Sequence, residues 1–394
     1  MRIAVLTLLF AGLVVAEDAT QFRGPGGLGT SSEKNLPVTW TEKENVRWKA
    51  DLPGRGLSNP VTAQGRVFVT AASGANRDRL HVLCYSQKDG KLLWERQFWA
   101  TGGTQCNPKT TMAAPTPATD GKFVYALFAT ADLFCLDLDG NLAWTRSFVG
   151  DYPTVGNNVG MAASPVIADD VLVVHMENVG ESFALGIDRT NGTNRWRLDR
   201  PRVINWNTPF VRKNGGKTEV LLMTPDGVTA HDPATGQELW AHTHGKFATS
   251  PSILAGDGLI FIPGDKFTAI KIAPTGPEIV WQNSKLNVGY ATPCLVEGRL
   301  YTIANNGVAM CADAKTGKTA WTHRLEGSFA ASPMSAEGHV YFTSESGMTY
   351  VMEASPEAKL LATNELKDVF MASPVAAGGA IYLRSDKHLW CLAK

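Results

Sequence analysis

Two histidines in alternate positions, His242 and His244 within Ala-His-Thr-His-Gly, would fall on one side of a strand and could seat a metal ion. No third ligand lies nearby in the sequence, so a packing or surface role is the favoured reading. Six acids on expected turns, Asp132, Glu177, Asp226, Asp265, Glu345 and Asp386, carry the kind of oxygen that calcium takes about six to eight at a time. Solvated turn residues explain that spacing more economically. A third set is polar and aromatic: Arg55, Asn107, Lys109, Asn157, Asn158, Asn205, Trp206, Asn207, Lys246, Asn287, Tyr290 and Asp368. Asparagine with tryptophan suits a neutral polar ligand such as a peptide or sugar, and the cations could hold one carboxylate. Asparagines that merely satisfy loop backbone are an equal alternative. The chain has no G-x-S-x-G elbow, H-E-x-x-H helix, phosphate loop or C-x-x-C pair.

What must position these residues is a repeat. A small residue followed by proline opens a β-rich segment eight times: Asn59-Pro60, Ala114-Pro115, Ser164-Pro165, Thr208-Pro209, Ser250-Pro251, Thr292-Pro293, Ser332-Pro333 and Ser373-Pro374. Seven such segments close on tryptophan: Trp48, Trp94, Trp144, Trp196, Trp240, Trp281 and Trp321. Within residues 289–321 the alternation gives four short strands, broken at Glu297-Gly298, Asn305-Asn306-Gly307 and 313–317. Units of four antiparallel strands at this period make a β-propeller. Small entry residues suit inner strands crowded at the axis, and a flat indole suits the outer strand where blades diverge.

The last unit, 373–394, has room for three strands, while Asn45-Val-Arg-Trp-Lys49 stands alone ahead of the first. Pairing the two chain ends completes an eighth blade and removes an open sheet edge. The expectation is an all-β, eight-bladed ring over 45–394, an extension over 17–44, and a signal peptide over 1–16. Departures from the repeat stand out too. Leu361 replaces the seventh blade's tryptophan, so its outer wedge should pack less well. The fifth blade's turn lacks the acid, and the connector Phe98 to Met112 is the longest.

Composition narrows the function classes. With 37 basic and 37 acidic residues, no positive field exists to hold nucleic acid. No apolar run of 18 residues is present, so no spanning helix is expected. An exported, periplasmic or extracellular soluble monomer without a lipid-anchor cysteine follows. Of the six cysteines, Cys84, Cys135, Cys311 and Cys391 recur at one point of four repeats, a blade apart, and read as small buried hydrophobes. Cys106 and Cys294 stay open.

The turn before the tryptophan reads AHDPATGQELW from Ala230, with copies DAKTGKTAW from Asp313 and DRTNGTNRW from Asp188. This pattern resembles the tryptophan-docking repeat of the pyrroloquinoline quinone (PQQ) propeller superfamily, which includes quinoprotein alcohol dehydrogenases and BamB-like assembly lipoproteins. The stretch from Gln21 to Gly29, QFRGPGGLG, is similar to the N-terminal motif of exported PQQ-like propellers. The resemblance implies that Asp188, Asp232 and Asp313 cap their turns and that the tryptophans dock blades. It leaves three functions open: a non-enzymatic platform binding envelope proteins, a small-ligand binder (glycan or PQQ) at the axial funnel, and a PQQ- and calcium-dependent dehydrogenase. The adjacent cysteine pair of the alcohol dehydrogenases is missing. No cofactor is required by the first reading, which is preferred.

Overall fold

A computed structural model describes residues 17–156 and 158–394. The signal peptide expected over 1–16 and the funnel residue Asn157 lie outside them. Eight sheets of mainly four antiparallel strands succeed one another along the chain, each entered at its innermost strand, and the first seven are left at their outermost. Middle strands such as Val171–Met176 are buried along their whole length. A neighbouring blade covers each of their faces, so apolar residues run on without alternation. Outer strands such as Thr319–Arg324 alternate between buried and exposed, as half-covered edges do.

The ring closes as the chain ends imply. Strand Val46–Asp51 pairs antiparallel with the terminal strand His388–Leu392, Lys49 opposite Trp390, and completes blade 8.

The small residues at the axis do more than avoid collision. The backbone N–H of Asn59 donates to Thr116 Oγ1, Thr116 to Ser164 Oγ, and Ser164 to Thr208 Oγ1. Thr208 donates to Ser252 Oγ, Ser252 to Thr292 Oγ1, and Thr292 to Ser332 Oγ. Ser332 donates to Ser373 Oγ, and Ser373 returns to Asn59 Oδ1. All eight bonds are buried, at 2.8–3.2 Å, and together they form a closed circlet with one link per blade. Two entries are therefore out of phase in the proline-based reading. Blade 2 uses Thr116 and not Ala114, which has no acceptor, and blade 5 uses Ser252 and not Ser250. A Ser332→Ala change would leave the Thr292 N–H buried and unpaired. The expected loss is about 1–3 kcal/mol in urea unfolding, with Ser332→Thr close to wild type. An unchanged midpoint in the alanine variant would refute the bond's contribution.

On the outer wall six indoles reach one blade onward. Trp48, Trp94, Trp144, Trp196, Trp281 and Trp321 donate to the carbonyls of Gln87, Leu138, Arg189, Pro233, Ala314 and Ser355 at 2.8–3.2 Å. The receiving turn needs glycine twice over. Gly317 has φ 68°, and a Cβ there would lie 2.3 Å from Trp281. Turn acids hold that loop: Asp313 Oδ1 accepts from Thr316 N at 2.8 Å, Asp232 Oδ1 from Thr235 N at 2.9 Å, and Asp188 Oδ1 from Thr190 N at 2.9 Å. Bonds from Thr190 and Arg195 lower the Asp188 carboxyl to about 2. Trp240 is the exception. Blade 5 turns on Pro274 and Thr275 alone, without the longer acid-held loop of the other blades, and this indole bonds Glu219 Oε2 of its own blade at 3.3 Å.

The expectation of a loose seventh wedge is corrected. Trp40, from the extension, is 3% exposed and stacks on Tyr341 of blade 7 with centroids 6.3 Å apart. Tyr341 is the counterpart of Tyr301, which meets its own blade's Trp321 at 6.0 Å. The missing indole is thus supplied from outside the repeat.

Candidate functional site

The extension runs under the ring, at the end of the strands opposite the blade connectors. Ala19 O and Thr20 O accept from Thr62 N and Thr119 N, and Thr30–Ser31 adds a parallel strand inside blade 7. Glu33 accepts from Gly378 N and Gly379 N of blade 8. Between these anchors a turn places Phe22 and Arg23 on the axis. The Arg23 side chain, 3% exposed, donates to Pro293 O at 2.6 Å and lies flat on Gly29, whose Cβ would come within 2.2 Å of it. The channel is therefore blind, and its floor is Phe22.

Above that floor is an open cavity of about 260 Å³. Of the expected funnel residues it gathers Asn107, Lys109, Trp206 and Tyr290, and adds Leu57, Thr110 and Met371. Its lower wall is Ala114, Ala162, Ser164, Thr208, Ser250, Ser252 and Ala330. The long connector reaches over the mouth: Lys109 Nζ crosses to Glu345 Oε1 of blade 7 at 3.1 Å. Arg55 lies outside the lining and braces that connector through Pro108 O and Thr110 O, while its Nε holds Asp386 at 3.0 Å. Lys246 and Asn287 are exposed and also outside, and Asn158 lines neighbouring grooves. Asn205 and Asn207 are buried between blades, donating to Glu177 Oε2 and Pro251 O at 2.7 Å each. Asp368 accepts from Ser385 Oγ and pairs with His388 Nδ1, both at 2.6 Å. Sequence reasoning missed Phe22, Leu57 and Met371; the QFRGP motif was the signal for the first.

The acids offered for calcium do not converge. Asp132 is taken by Thr101 and Thr130, Glu177 by Arg200 and Asn205, Glu345 by Lys109 and Asp386 by Arg55. Asp226 and Asp265 sit on separate hairpins of blades 4 and 5. His242 is buried against Phe247, with its ring 6.1 Å from that of His244, and burial holds it below the ordinary imidazole range. Among the described residues no three His, Cys, Asp or Glu side chains are grouped to hold a metal ion. Among the described residues the cavity lining contains no carboxylate, so this donor set does not fit a calcium-held quinone. All six cysteines are free. Cys106 is half-buried, with its Sγ 3.1 Å from Arg77, and Cys294 is fully buried.

Ring closure, indole docking and a plugged axis together define an eight-bladed repeat propeller of the PQQ type. The chain belongs to the PQQ_2 family, described as outer membrane protein assembly factor BamB, whose profile matches residues 24–205, 96–321 and 224–353. It is 22% identical over 296 residues to the outer membrane protein assembly factor BamB of Moranella endobia (strain PCIT). That match covers 75% of this chain and 64% of the relative, so the chain spans just under two thirds of the relative's length. The crystal structure of BamB from Moraxella catarrhalis superposes with a TM-score of 0.67 at 13% identity, over 88% of this chain and 98% of that one. A europium-containing methanol dehydrogenase superposes with a TM-score of 0.73 at 11% identity, over 96% and 98%. These two likenesses show the fold alone.

Proposed function

We propose that the chain is a non-enzymatic, exported propeller that serves as an interaction platform in the cell envelope, with envelope proteins as partners. The observation that carries this reading is the chemistry of the axis. The place a ring protein offers to a reactive group has, among the described residues, no carboxylate in its lining, and the wall hydroxyls of Ser164, Thr208 and Ser252 accept circlet bonds. Membership of a family described as an assembly factor supports it. So do Arg55 and Lys109, whose side chains brace a connector. A second reading, a small ligand held in the axial funnel, is favoured by the cavity itself, with Trp206, Tyr290 and Met371 on its wall.

Mixing the pure protein with PQQ and calcium separates both from a dehydrogenase. The expected outcome is no bound-quinone spectrum and no dye reduction with alcohols or sugars. Dye reduction that needs both additives would overturn the non-enzymatic reading. Affinity capture from an envelope extract should enrich a protein that also binds the purified chain; enrichment of none would overturn the platform.

A further inference from the structure

Between the Phe22–Arg23 turn and the circlet lies a narrow void of about 10 Å³. That is the space of a single water-sized particle. Its polar lining includes Arg23 with Thr208, Ser252 and Thr292 of the circlet. Each of these hydroxyls accepts a backbone N–H, from Ser164, Thr208 and Ser252 respectively. Among the described residues none of the three donates a hydrogen bond, so three O–H groups remain to be used. Arg23 adds a fourth donor, because its Nε is buried without a partner. No carboxylate pairs with Arg23 among the described residues; its guanidinium meets only the carbonyls of Gly27, Pro293 and Pro333. Burial lowers the group to about 10, which still leaves it cationic at neutral pH.

We propose that this void is a binding site for one monatomic anion, a halide such as chloride, held by the Arg23 guanidinium and the hydroxyls of Thr208, Ser252 and Thr292. Charge and donor inventory both select the anion. A lone buried cation is costly unless a counter-charge sits beside it. A water molecule would bring two protons of its own and no charge, whereas a halide accepts from every donor of the lining and also neutralises Arg23. The void is too small for sulfate, carboxylate or phosphate. The ion would tie the extension to the circlet and fix the blind floor of the axial cavity.

Crystals of the full chain grown in bromide give the direct test. The expected result is an anomalous peak in the void. Thermal unfolding in sodium chloride and in sodium gluconate at matched ionic strength gives the second readout, with a midpoint a few degrees higher in chloride and rising with its concentration. Arg23→Gln should abolish that difference. A void holding water without anomalous signal, together with equal midpoints in the two salts, would overturn the proposal. The wild-type measurements stand whether or not the variant folds.

Discussion

Trp40→Ala is expected to lower the stability of the propeller by about 3–5 kcal/mol, as removal of a buried tryptophan does where the cavity cannot collapse. The side chain stacks on Tyr341 and belongs to the buried cluster that joins blades 7 and 8, with Ile381 and Trp390. The hydrogen bonds around it involve the backbone and other side chains, so they persist in the variant, hold the walls of the cavity in place and leave packing as the quantity lost. Trp40 N donates to Asn364 Oδ1 at 2.8 Å, Asn364 Nδ2 donates to Val38 O at 2.9 Å, and the Tyr341 hydroxyl donates to Pro37 O at 3.3 Å. Trp240→Ala is the control. That indole is half-buried and bonds only its own blade, so its loss should cost clearly less. Denaturant midpoints at equal m-values decide the matter. Equal costs for the two variants would show that Trp40 is no substitute for the missing docking residue. The contrast also bears on topology, because Trp40 reaches blade 7 from upstream of the ring. The strand that closes blade 8, Val46–Asp51, follows it by six residues.

Trp40 escaped the sequence reading for a physical reason. The fold is legible wherever one side chain performs one job at a constant phase: indole against the next blade's turn, glycine beneath it, hydroxyl at the axis. Trp48 pairing beside Trp390 follows from that counting alone. The extension obeys no repeat, so its contacts, up to 346 residues apart in the chain, leave no periodic trace. The clue to Trp40 was an absence, Leu361, together with an unassigned tryptophan upstream. Hydroxyls dominate the strand entries, but small size alone does not separate Ala114 from Thr116 or Ser250 from Ser252, so a proline-based phase falls two residues short in blades 2 and 5. Polarity misled at the funnel. Asn205 and Asn207 look like ligand donors, but they face buried carbonyl and carboxylate oxygens between blades. The cavity's apolar side, Leu57 and Met371, comes from connectors whose course sequence spacing does not determine.

Glu177→Gln is expected to cost about 3–5 kcal/mol, because it leaves a guanidinium without its counter-charge in the interior. The Glu177 carboxylate is fully enclosed and lies 2.8 Å from Arg200 Nε, whose side chain is 8% exposed. Asn205 Nδ2 donates to its other oxygen at 2.7 Å and to Met223 O at 2.6 Å, tying blade 3 to blade 4. His175 Nε2 is 2.9 Å away but out of line for a hydrogen bond, while its Nδ1 faces Asn207 O. Burial pushes the carboxyl up, yet His175, Arg200 and Asn205 outweigh it and hold it below the usual carboxylate range. The sign follows. A folded-state value below the unfolded one of about 4.3 stabilises the protein above that pH, and the gain is lost as pH falls through the folded value. Wild type should therefore lose stability steeply below about pH 4, and Glu177→Gln less steeply. The double variant Glu177→Gln with Arg200→Met separates charge from packing. If the uncompensated guanidinium is the cause, the second substitution recovers part of the loss and the cycle is non-additive. Additive losses, with an unchanged acid limb in the single variant, would assign the seam to packing instead.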